Sequence, residues 1–209
     1  MVIIYGSSGA RSDRVVWALE EAECDYEFRK LNFRTGEHRQ EPFLSINPGG
    51  KVPALLDGDL TITESTAIVS YVGRKYSKFQ LVPEGDLAKQ AAYDQWTSFL
   101  ITELEQPLWS IGKHKFALPA EWRIAEMLNT AAKEFAVAAA LLAGHLDGRD
   151  FMLGDQFTMV DVIAADTLHW ARRFAQPLNS DVLESYADRM FTRPARKRAA
   201  DKGTVSTKG

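Results

Sequence analysis

The chain has 209 residues, of which 45% are hydrophobic and 25% are charged, as is usual for folded globular proteins. This length is sufficient for one or two domains with hydrophobic cores of their own. The net charge of −3 argues against a general affinity for nucleic acids or anionic membranes. We therefore expect small molecules and other proteins as partners.

Cysteine and histidine usage argues against a disulfide or a metal site. Cys24 is the single cysteine, so no internal disulfide can form, and the four histidines are scattered without zinc spacing. No apolar run is long enough to span a membrane, and the apolar stretch at the start is too short for a signal peptide. These observations predict a cytoplasmic protein with no metal and no membrane association.

The first part of the chain mixes strand and helix patterns. The apolar run at residues 2–5 ends at a glycine, as a buried strand would. Apolar residues then recur at helical spacing after Ser12 and Asp13, either of which can cap a helix. Alternation of apolar and charged residues around Tyr26 and Phe28 predicts the next strand.

A hairpin and a helix follow. Residues 52–56 and 60–63 have strand patterns on either side of the turn sequence Asp-Gly-Asp. The helix after them ends with Arg74 and Lys75, at the end where the helix dipole favours cations. Residues 78–86 lose periodicity and contain proline and glycine, so we interpret them as a linker.

Beyond the linker the strand patterns stop. The first long helix contains Pro107, which is expected to kink it. A nearly pure heptad stripe runs from Leu128 to Leu146, and Thr158 with Asp161 has the spacing of a capping box. The second half of the chain is therefore predicted to be helical.

Together these patterns predict the domain organisation. An α/β domain with the order β-α-β then β-β-α is expected at residues 1–77. It is followed by the linker at residues 78–86 and an all-helical domain at residues 87–209.

The segment at residues 47–65, NPGGKVPALLDGDLTITES, places a proline directly before an apolar strand. Proline has no N–H group to give to a sheet. A cis bond between Val52 and Pro53 would turn the Val52 backbone outward, where it could pair with an incoming extended peptide. The alternative is a proline that merely marks an edge strand.

The same segment ends with Glu64 and Ser65 at a predicted helix start. The unpaired N–H groups there and the Ser65 hydroxyl can hold a ligand carboxylate, while Glu64 can accept an ammonium group. The alternative is that Ser65 only caps the helix and Glu64 only complements its dipole. Beside a peptide-binding strand, a site for both charges of an α-amino acid fits glutathione, whose γ-glutamyl end carries them.

The chain resembles the soluble glutathione transferase superfamily, serine type, over essentially its whole length, with phi-like and bacterial members as the most similar groups. The resemblance rests on EPFLSINPGGKVPALLDGDLTITESTAI in the first domain and on LGDQFTMVDVIAADTL in the second. It implies a thioredoxin-like N-terminal domain, an all-helical C-terminal domain and a homodimer. It also implies glutathione as the co-substrate.

The resemblance assigns particular residues to the tripeptide. Val52, next to a cis Pro53, would pair through its backbone with the cysteinyl unit. Glu64 and Ser65 would hold the γ-glutamyl end.

The glycyl carboxylate at the other end is expected near basic side chains. Gly-Glu-His-Arg at residues 36–39 resembles Gly-Glu-His-Lys of plant phi-type members, which implies His38 and Arg39 as its partners. Lys51 stands where the family commonly has Gln, Lys or Arg, with the same carboxylate in reach. By residue type alone, His38 and Arg39 would be ordinary surface charges.

Conjugation requires glutathione as a thiolate, and a hydroxyl group at the start of the first helix can stabilise that anion. Where serine-type members commonly have the catalytic serine, this chain has Gly9, and where other bacterial-looking members begin a Ser-Arg-Ser motif it has Ala10. We favour Ser8 as the thiolate donor. Ser12 and Arg11 are the alternatives, and Ser12 can also be a simple helix cap.

An electrophile is expected against the first helix of the second domain, with an apolar wall drawn from Trp96, Phe99, Trp109 and Phe116. Helical spacing allows Trp96 and Phe99 to be core residues instead. The predicted function is detoxification by conjugation of glutathione to small, mostly apolar electrophiles. A peroxidase, isomerase or dehalogenase on the same site, and a non-catalytic glutathione-binding or protein-interaction relative, are the alternatives.

Overall fold

A computed structural model describes residues 1–202 of the 209-residue chain. The chain divides into two units: Met1–Val82 together with the C-terminal helix, and Pro83–Phe191. The division lies inside the segment that the sequence predicts as a linker. Residues 203–209, the end of the predicted helical domain, lie outside the described residues.

The first unit is built on a four-stranded sheet in the order β2-β1-β3-β4. Its strands are β1 (Val2–Gly6), β2 (Tyr26–Lys30), β3 (Ala54–Asp57) and β4 (Leu60–Thr63). Strands β1 and β2 are parallel, whereas β3 is antiparallel to both β1 and β4. A parallel pair requires a crossover and an antiparallel pair only a hairpin, which is why a helix joins β1 to β2 and a tight turn joins β3 to β4.

Three helices accompany the sheet: α1 (Ser12–Glu21), α2 (Phe43–Ile46) and α3 (Ser65–Lys75). Helix α1 packs against α3, and both bury apolar residues completely, including Val15, Trp17, Leu19, Ile68 and Val72. The predicted β-α-β then β-β-α order is confirmed. Helix α2 has four residues, too few for a periodic pattern to reveal it.

The second unit is helical, as predicted. Its helices are α4 (Leu87–Phe99), α5 (Gln106–Gly112), α6 (Glu126–Leu146), α7 (Met159–Arg173) and α8 (Asp181–Phe191). Within residues 1–202, no helix combines the length and the apolar character needed to cross a membrane.

The sequence predicts an irregularity in the helix at Pro107. In the structure it is a wider helical turn directly before this residue. Leu100–Glu105 is π-helical and leads directly into α5, whose first turn contains Pro107. Since proline has no N–H group, it cannot continue the hydrogen-bond ladder of an α-helix. A second π-helical segment, Lys113–Ala117, follows α5.

The predicted capping box at the start of α7 is confirmed. The Asp161 carboxylate accepts hydrogen bonds from the Thr158 N–H (2.8 Å), the Met152 N–H (2.7 Å) and the Tyr186 hydroxyl (2.8 Å). Asp161 therefore joins the start of α7 both to the preceding loop and to α8.

The C-terminal helix α9 (Pro194–Asp201) packs on α1. Arg193 makes a bidentate ion pair with Glu21 (2.6 and 2.9 Å), and Arg198 pairs with Glu20 (3.1 Å). The basic residues 193–198, which in the sequence resemble a solvated terminal turn, thus act as counterions. They offset two carboxylates at the end of α1, where the helix dipole disfavours negative charge.

Asp57, the last residue of β3, anchors the C-terminal end of α3. Its Oδ2 atom accepts hydrogen bonds from the Lys75 ammonium (2.6 Å) and from the Tyr71 (2.6 Å) and Tyr76 (2.5 Å) hydroxyls. The hydrogen bond from Lys75, and then those from the two tyrosines, lower the pKa of Asp57 to about 2.

We predict that Asp57→Asn lowers the free energy of unfolding by about 1–3 kcal/mol at neutral pH, because three donors lose a charged acceptor. The pKa of Asp57 is depressed in the folded state, so this stabilisation is present above the ordinary value of about 3.9. It is lost as the pH falls towards 2. Urea denaturation across this pH range measures the effect, with Asp59→Asn in the same turn as the control. A wild-type advantage that does not shrink in acid would contradict the prediction.

Candidate functional site

Three segments of the first unit meet at one edge of the sheet. Ala54, the first residue of β3, pairs with Tyr5 of β1 on one side and with Thr63 of β4 on the other. Since β1 and β4 end at this edge while β3 begins there, the segment before β3 lies between the loop after β1 and the start of α3. Lys30 pairs with Gly6, so β2 ends at the same edge.

The segment before β3 carries the predicted cis bond, between Val52 and Pro53. Strand β3 begins at Ala54, two residues later than predicted, because Pro53 has no N–H group for pairing. In the described part of the chain, neither the N–H nor the C=O group of Val52 has a hydrogen-bond partner. Both groups are thus available to an extended ligand.

A tight turn stabilised by Asn47 presents this segment. The Asn47 side chain donates to the Lys51 carbonyl (2.7 Å) and accepts from the Gly49 N–H (3.0 Å). Its own carbonyl accepts from the Gly50 N–H (2.9 Å). These three hydrogen bonds fix the backbone that leads into Val52.

Gly50 lets this turn approach the short 3₁₀ helix Glu37–Arg39. A Cβ atom at Gly50 would lie 3.0 Å from the His38 carbonyl oxygen and 3.6 Å from the Arg39 side chain, and the φ of Gly50 is +58°. A glycine at this position therefore lets the segment of His38 and Arg39 lie close to the turn that leads into Lys51.

The three side chains of the basic corner formed by His38, Arg39 and Lys51 do not all carry a charge near pH 7. Burial, and secondarily the neighbouring Arg39, lower the pKa of His38, so its ring is neutral near pH 7. The ring also packs on Phe33, with 4.6 Å between centroids. Arg39 and Lys51 are exposed cations. The charge at this corner thus belongs to Arg39 and Lys51.

Helix α3 begins at the same edge without a side-chain cap. Its first intrahelical bond runs from the Ile68 N–H to the Glu64 carbonyl, so the N–H groups of Ser65, Thr66 and Ala67 have no acceptor within the helix. Among residues 1–202 the Ser65 hydroxyl also has no hydrogen-bond partner, although Ser65 is only 5% exposed. This helix end can therefore receive a carboxylate.

Glu64, the residue before α3, has an uncommon backbone conformation. Its φ is +66°, a region that non-glycine residues rarely occupy. Such strain persists only where the surrounding structure imposes it, and it is concentrated at functional sites. Here the conformation turns the chain from β4 into α3 while the Glu64 side chain remains exposed.

The loop between β1 and α1 is held by Ser12 and Asp13. The Ser12 hydroxyl donates to the Ser7 carbonyl and accepts from the Ser7 N–H, both at 2.9 Å. The Asp13 carboxylate accepts from the Gly9 N–H at 3.0 Å. Ser12 is fully buried, so its hydroxyl connects the two ends of the loop and does not face solvent.

Gly6 makes this arrangement possible. A Cβ atom at Gly6 would lie 2.6 Å from the Ser12 Cβ atom and 2.8 Å from the Phe28 ring. Only glycine therefore allows the first turn of α1 to approach the end of β1 this closely.

The remaining candidates in and near this loop differ in exposure. Ser8 is exposed and Arg11 is half-buried. The Tyr5 hydroxyl accepts a hydrogen bond from Arg29 at 2.8 Å. Burial, and secondarily the charges of nearby aspartates, raise the pKa of Cys24 to about 11, so this thiol stays protonated and is a poor nucleophile.

The four aromatic candidates for an electrophile wall form two pairs in the second unit. Trp96 and Phe99 contact each other at 5.2 Å between centroids, and Trp96 also packs on the His145 ring at 3.8 Å. Trp109 and Phe116 meet at Gly112, where a Cβ atom would lie 3.3 and 3.5 Å from their rings. Roughly 20 Å of helix separates Trp96 from Trp109, so the structure does not bring all four together.

Comparison with known proteins identifies the family. The model of the glutathione S-transferase N-terminal domain matches residues 1–74, and that of the C-terminal domain matches residues 90–189. A probable glutathione S-transferase GSTF2 from Oryza sativa is 47% identical over 94 residues, 44% of this chain and 43% of that protein. Glutathione S-transferase PARB from Nicotiana tabacum is 33% identical over 163 residues, 71% of each chain.

The chain belongs to the glutathione S-transferase family. The alignment with the rice protein spans less than half of that relative, whereas the tobacco alignment includes most of both chains. Among solved structures, a glutathione transferase homologue from Sulfitobacter with bound glutathione is 25% identical, with a TM-score of 0.84 over 98% of this chain and 99% of that one.

Some residues that build this candidate site carry no functional role in the sequence analysis. Asn47 and Gly50 shape the turn before Val52, and Gly6 and Asp13 shape the loop before α1. The run Asn-Pro-Gly-Gly is a typical turn composition, and a glycine after a strand often marks a close backbone approach. The sequence shows both patterns, but it does not show that Gly50 approaches His38 or that Gly6 approaches Phe28, because these contacts join separate segments.

We predict that Ser12→Ala lowers the free energy of unfolding by about 1–3 kcal/mol, because the half-buried Ser7 backbone groups lose both of their hydrogen bonds to Ser12. Thermal or urea denaturation measures this loss. Ser8→Ala, which removes an exposed hydroxyl group from the same loop, is the control and should lower the free energy of unfolding less than Ser12→Ala does. Equal effects of the two substitutions would contradict the assignment of Ser12 as the residue that holds the loop.

Proposed function

We propose that the protein binds glutathione at the edge shared by β1, β3 and β4 and transfers it, as a thiolate, to a small and mostly apolar electrophile. The observation that carries this proposal is the unpaired Val52 backbone beside the uncapped start of α3. Membership of the family and the glutathione-bound Sulfitobacter homologue support it. The homodimer implied by the resemblance and the cytoplasmic location predicted from the sequence are part of the proposal.

The register of β3 and β4 brings Val52 and the start of α3 to the same edge of the sheet. If the β3–β4 register is extended by two residues beyond Ala54 and Thr63, Val52 comes opposite Ser65. The N–H and C=O groups of Val52 would pair with the cysteinyl backbone. The first N–H groups of α3 and the Ser65 hydroxyl would receive the α-carboxylate.

Charged groups would complete the recognition of the tripeptide. The Glu64 carboxylate, which is exposed, would accept the γ-glutamyl ammonium. Arg39 and Lys51 would attract the glycyl carboxylate, and the neutral His38 would contribute a hydrogen bond rather than a charge. Exposed ion pairs of this kind contribute about 0.2–1 kcal/mol each.

The reacting sulfur requires a stabilised anion. A cysteine thiol has a pKa of about 8.5, and lowering it by about 2 units requires roughly 2.7 kcal/mol. A hydrogen bond to a charged group contributes about 1.5–3 kcal/mol, and a helix N-terminus about 0.3–1 kcal/mol. A single hydroxyl at the start of α1 therefore suffices.

Ser8 is the best candidate for this hydroxyl. It is exposed in the loop before α1, whereas Ser12 is fully buried and does not face solvent. In the transfer step a bond forms between sulfur and the electrophilic carbon. The leaving group departs with the electron pair of its bond, and the thiol proton goes to solvent.

We predict that Ser8→Ala retains glutathione binding in calorimetry but raises the kinetic pKa of the bound thiol and lowers kcat with an activated aryl halide about 10- to 100-fold, because the anion loses about 1.5–3 kcal/mol. Ser45→Ala, an exposed serine on α2, is the control. An unchanged kinetic pKa would show that Arg11 or backbone groups stabilise the thiolate. Binding without turnover in the wild type would instead identify a non-catalytic glutathione-binding relative.

The homodimer is tested by light scattering of the purified protein. The chain mass is 23.4 kDa, so a dimer has twice that value. A mass of a single chain at micromolar concentration would contradict this part of the proposal.

A further inference from the structure

A cleft of about 560 Å³ lies beside the candidate site, within the first unit. It is lined by Ser7, Lys30, Leu31, Asn32, Phe33, Arg34 and Glu37. Its volume falls within the roughly 300–1,000 Å³ range of small-molecule sites. Ser7 directly precedes the candidate thiolate donor Ser8, so this cleft adjoins the loop that carries Ser8.

The cleft has a positive charge that nothing in the described chain neutralises. Within residues 1–202, neither the Lys30 nor the Arg34 side chain takes part in an ion pair or hydrogen bond. Glu37 is the one carboxylate among the lining residues, and its oxygens accept from the Asn32 N–H (2.7 Å) and the Thr35 hydroxyl (3.2 Å). The lining residues therefore include two cations and one carboxylate that already accepts hydrogen bonds, so the net charge of the cleft is positive.

The cleft also has an aromatic surface. Phe33 is 44% exposed, and its ring is supported by packing on His38. An exposed aromatic ring next to unpaired cations suits a ligand with a flat apolar body and an acidic group.

We propose that Lys30 and Arg34 bind an anionic group of the electrophile, so that the enzyme prefers aromatic or apolar substrates that carry a carboxylate or a similar acid. This inference rests on the proposed glutathione transfer. It names the cleft between the ends of β1 and β2 as the place of the substrate's acidic group. It adds Lys30, Arg34 and Phe33 as residues that determine specificity.

The experiment compares a chloronitrobenzoate with the corresponding neutral chloronitrobenzamide as glutathione acceptors. In both reactions the sulfur bonds to the ring carbon that carries chlorine, chloride leaves with the electron pair, and the thiol proton goes to solvent. Each kcat/KM is divided by the uncatalysed rate constant with glutathione, which removes the difference in intrinsic reactivity.

For the wild type we expect the rate enhancement, which is kcat/KM divided by the uncatalysed rate constant, to be about five- to tenfold larger for the benzoate than for the benzamide. The difference is the effect of two exposed ion pairs with the carboxylate. The preference should shrink as salt is added, because exposed charges are screened. In the double variant K30Q/R34Q the two enhancements should agree within about twofold, with the KM for glutathione unchanged. The matched control is Arg29→Gln on the same strand, whose guanidinium already pairs with Glu27.

Several outcomes would overturn the inference, and they differ from one another. Equal rate enhancements with the benzoate and the benzamide in the wild type would show that the enzyme does not prefer an acidic substrate. A raised KM for glutathione in K30Q/R34Q would assign the two cations to the tripeptide instead. Absence of turnover with both acceptors would overturn the inference together with glutathione transfer, and calorimetry with glutathione would show whether binding also fails.

Discussion

The candidate site depends on the position of one residue, Ala54, which pairs with Tyr5 on one side and Thr63 on the other. Ala54 and Leu55 point to opposite faces of the sheet and both are fully buried, so a shift of one residue in either pairing would exchange side chains of different size between two packed faces. The hydrophobic core thereby fixes the register. The register in turn fixes which three segments meet at the ligand edge.

The loop between β1 and α1 combines a rigid base with an exposed tip. Gly6, Ser12 and Asp13 hold its ends through close packing and hydrogen bonds that involve buried groups. Ser8 lies at the exposed part of the loop. A hydroxyl held on such a scaffold can stabilise an anion without the cost of ordering a flexible segment when the ligand binds.

Local patterns in the sequence were sufficient for much of this account. Periodicity predicts the strand and helix order, and the Glu64-Ser65 pair at a helix start predicts the uncapped end of α3. The proline before β3 indicates where pairing stops, although it does not fix the first paired residue. These features depend on neighbours within a few residues, which a sequence displays directly.

Other features depend on contacts between distant residues, which no local pattern contains. Arg198 and Glu20 are 178 positions apart, so the packing of α9 on α1 cannot be read from either segment. The loop residues Ser8 and Ser12 are equivalent by residue type, and only burial separates them. Likewise, Lys30 and Arg34 look like ordinary surface charges until the fold places them around one cleft with Phe33.

The most direct test of the account is a crystal structure of the protein with glutathione. We predict hydrogen bonds from the N–H and C=O groups of Val52 to the cysteinyl backbone, and the γ-glutamyl carboxylate at the N–H and hydroxyl groups of Ser65. A tripeptide bound elsewhere, with the Val52 backbone and the start of α3 left unoccupied, would contradict the account.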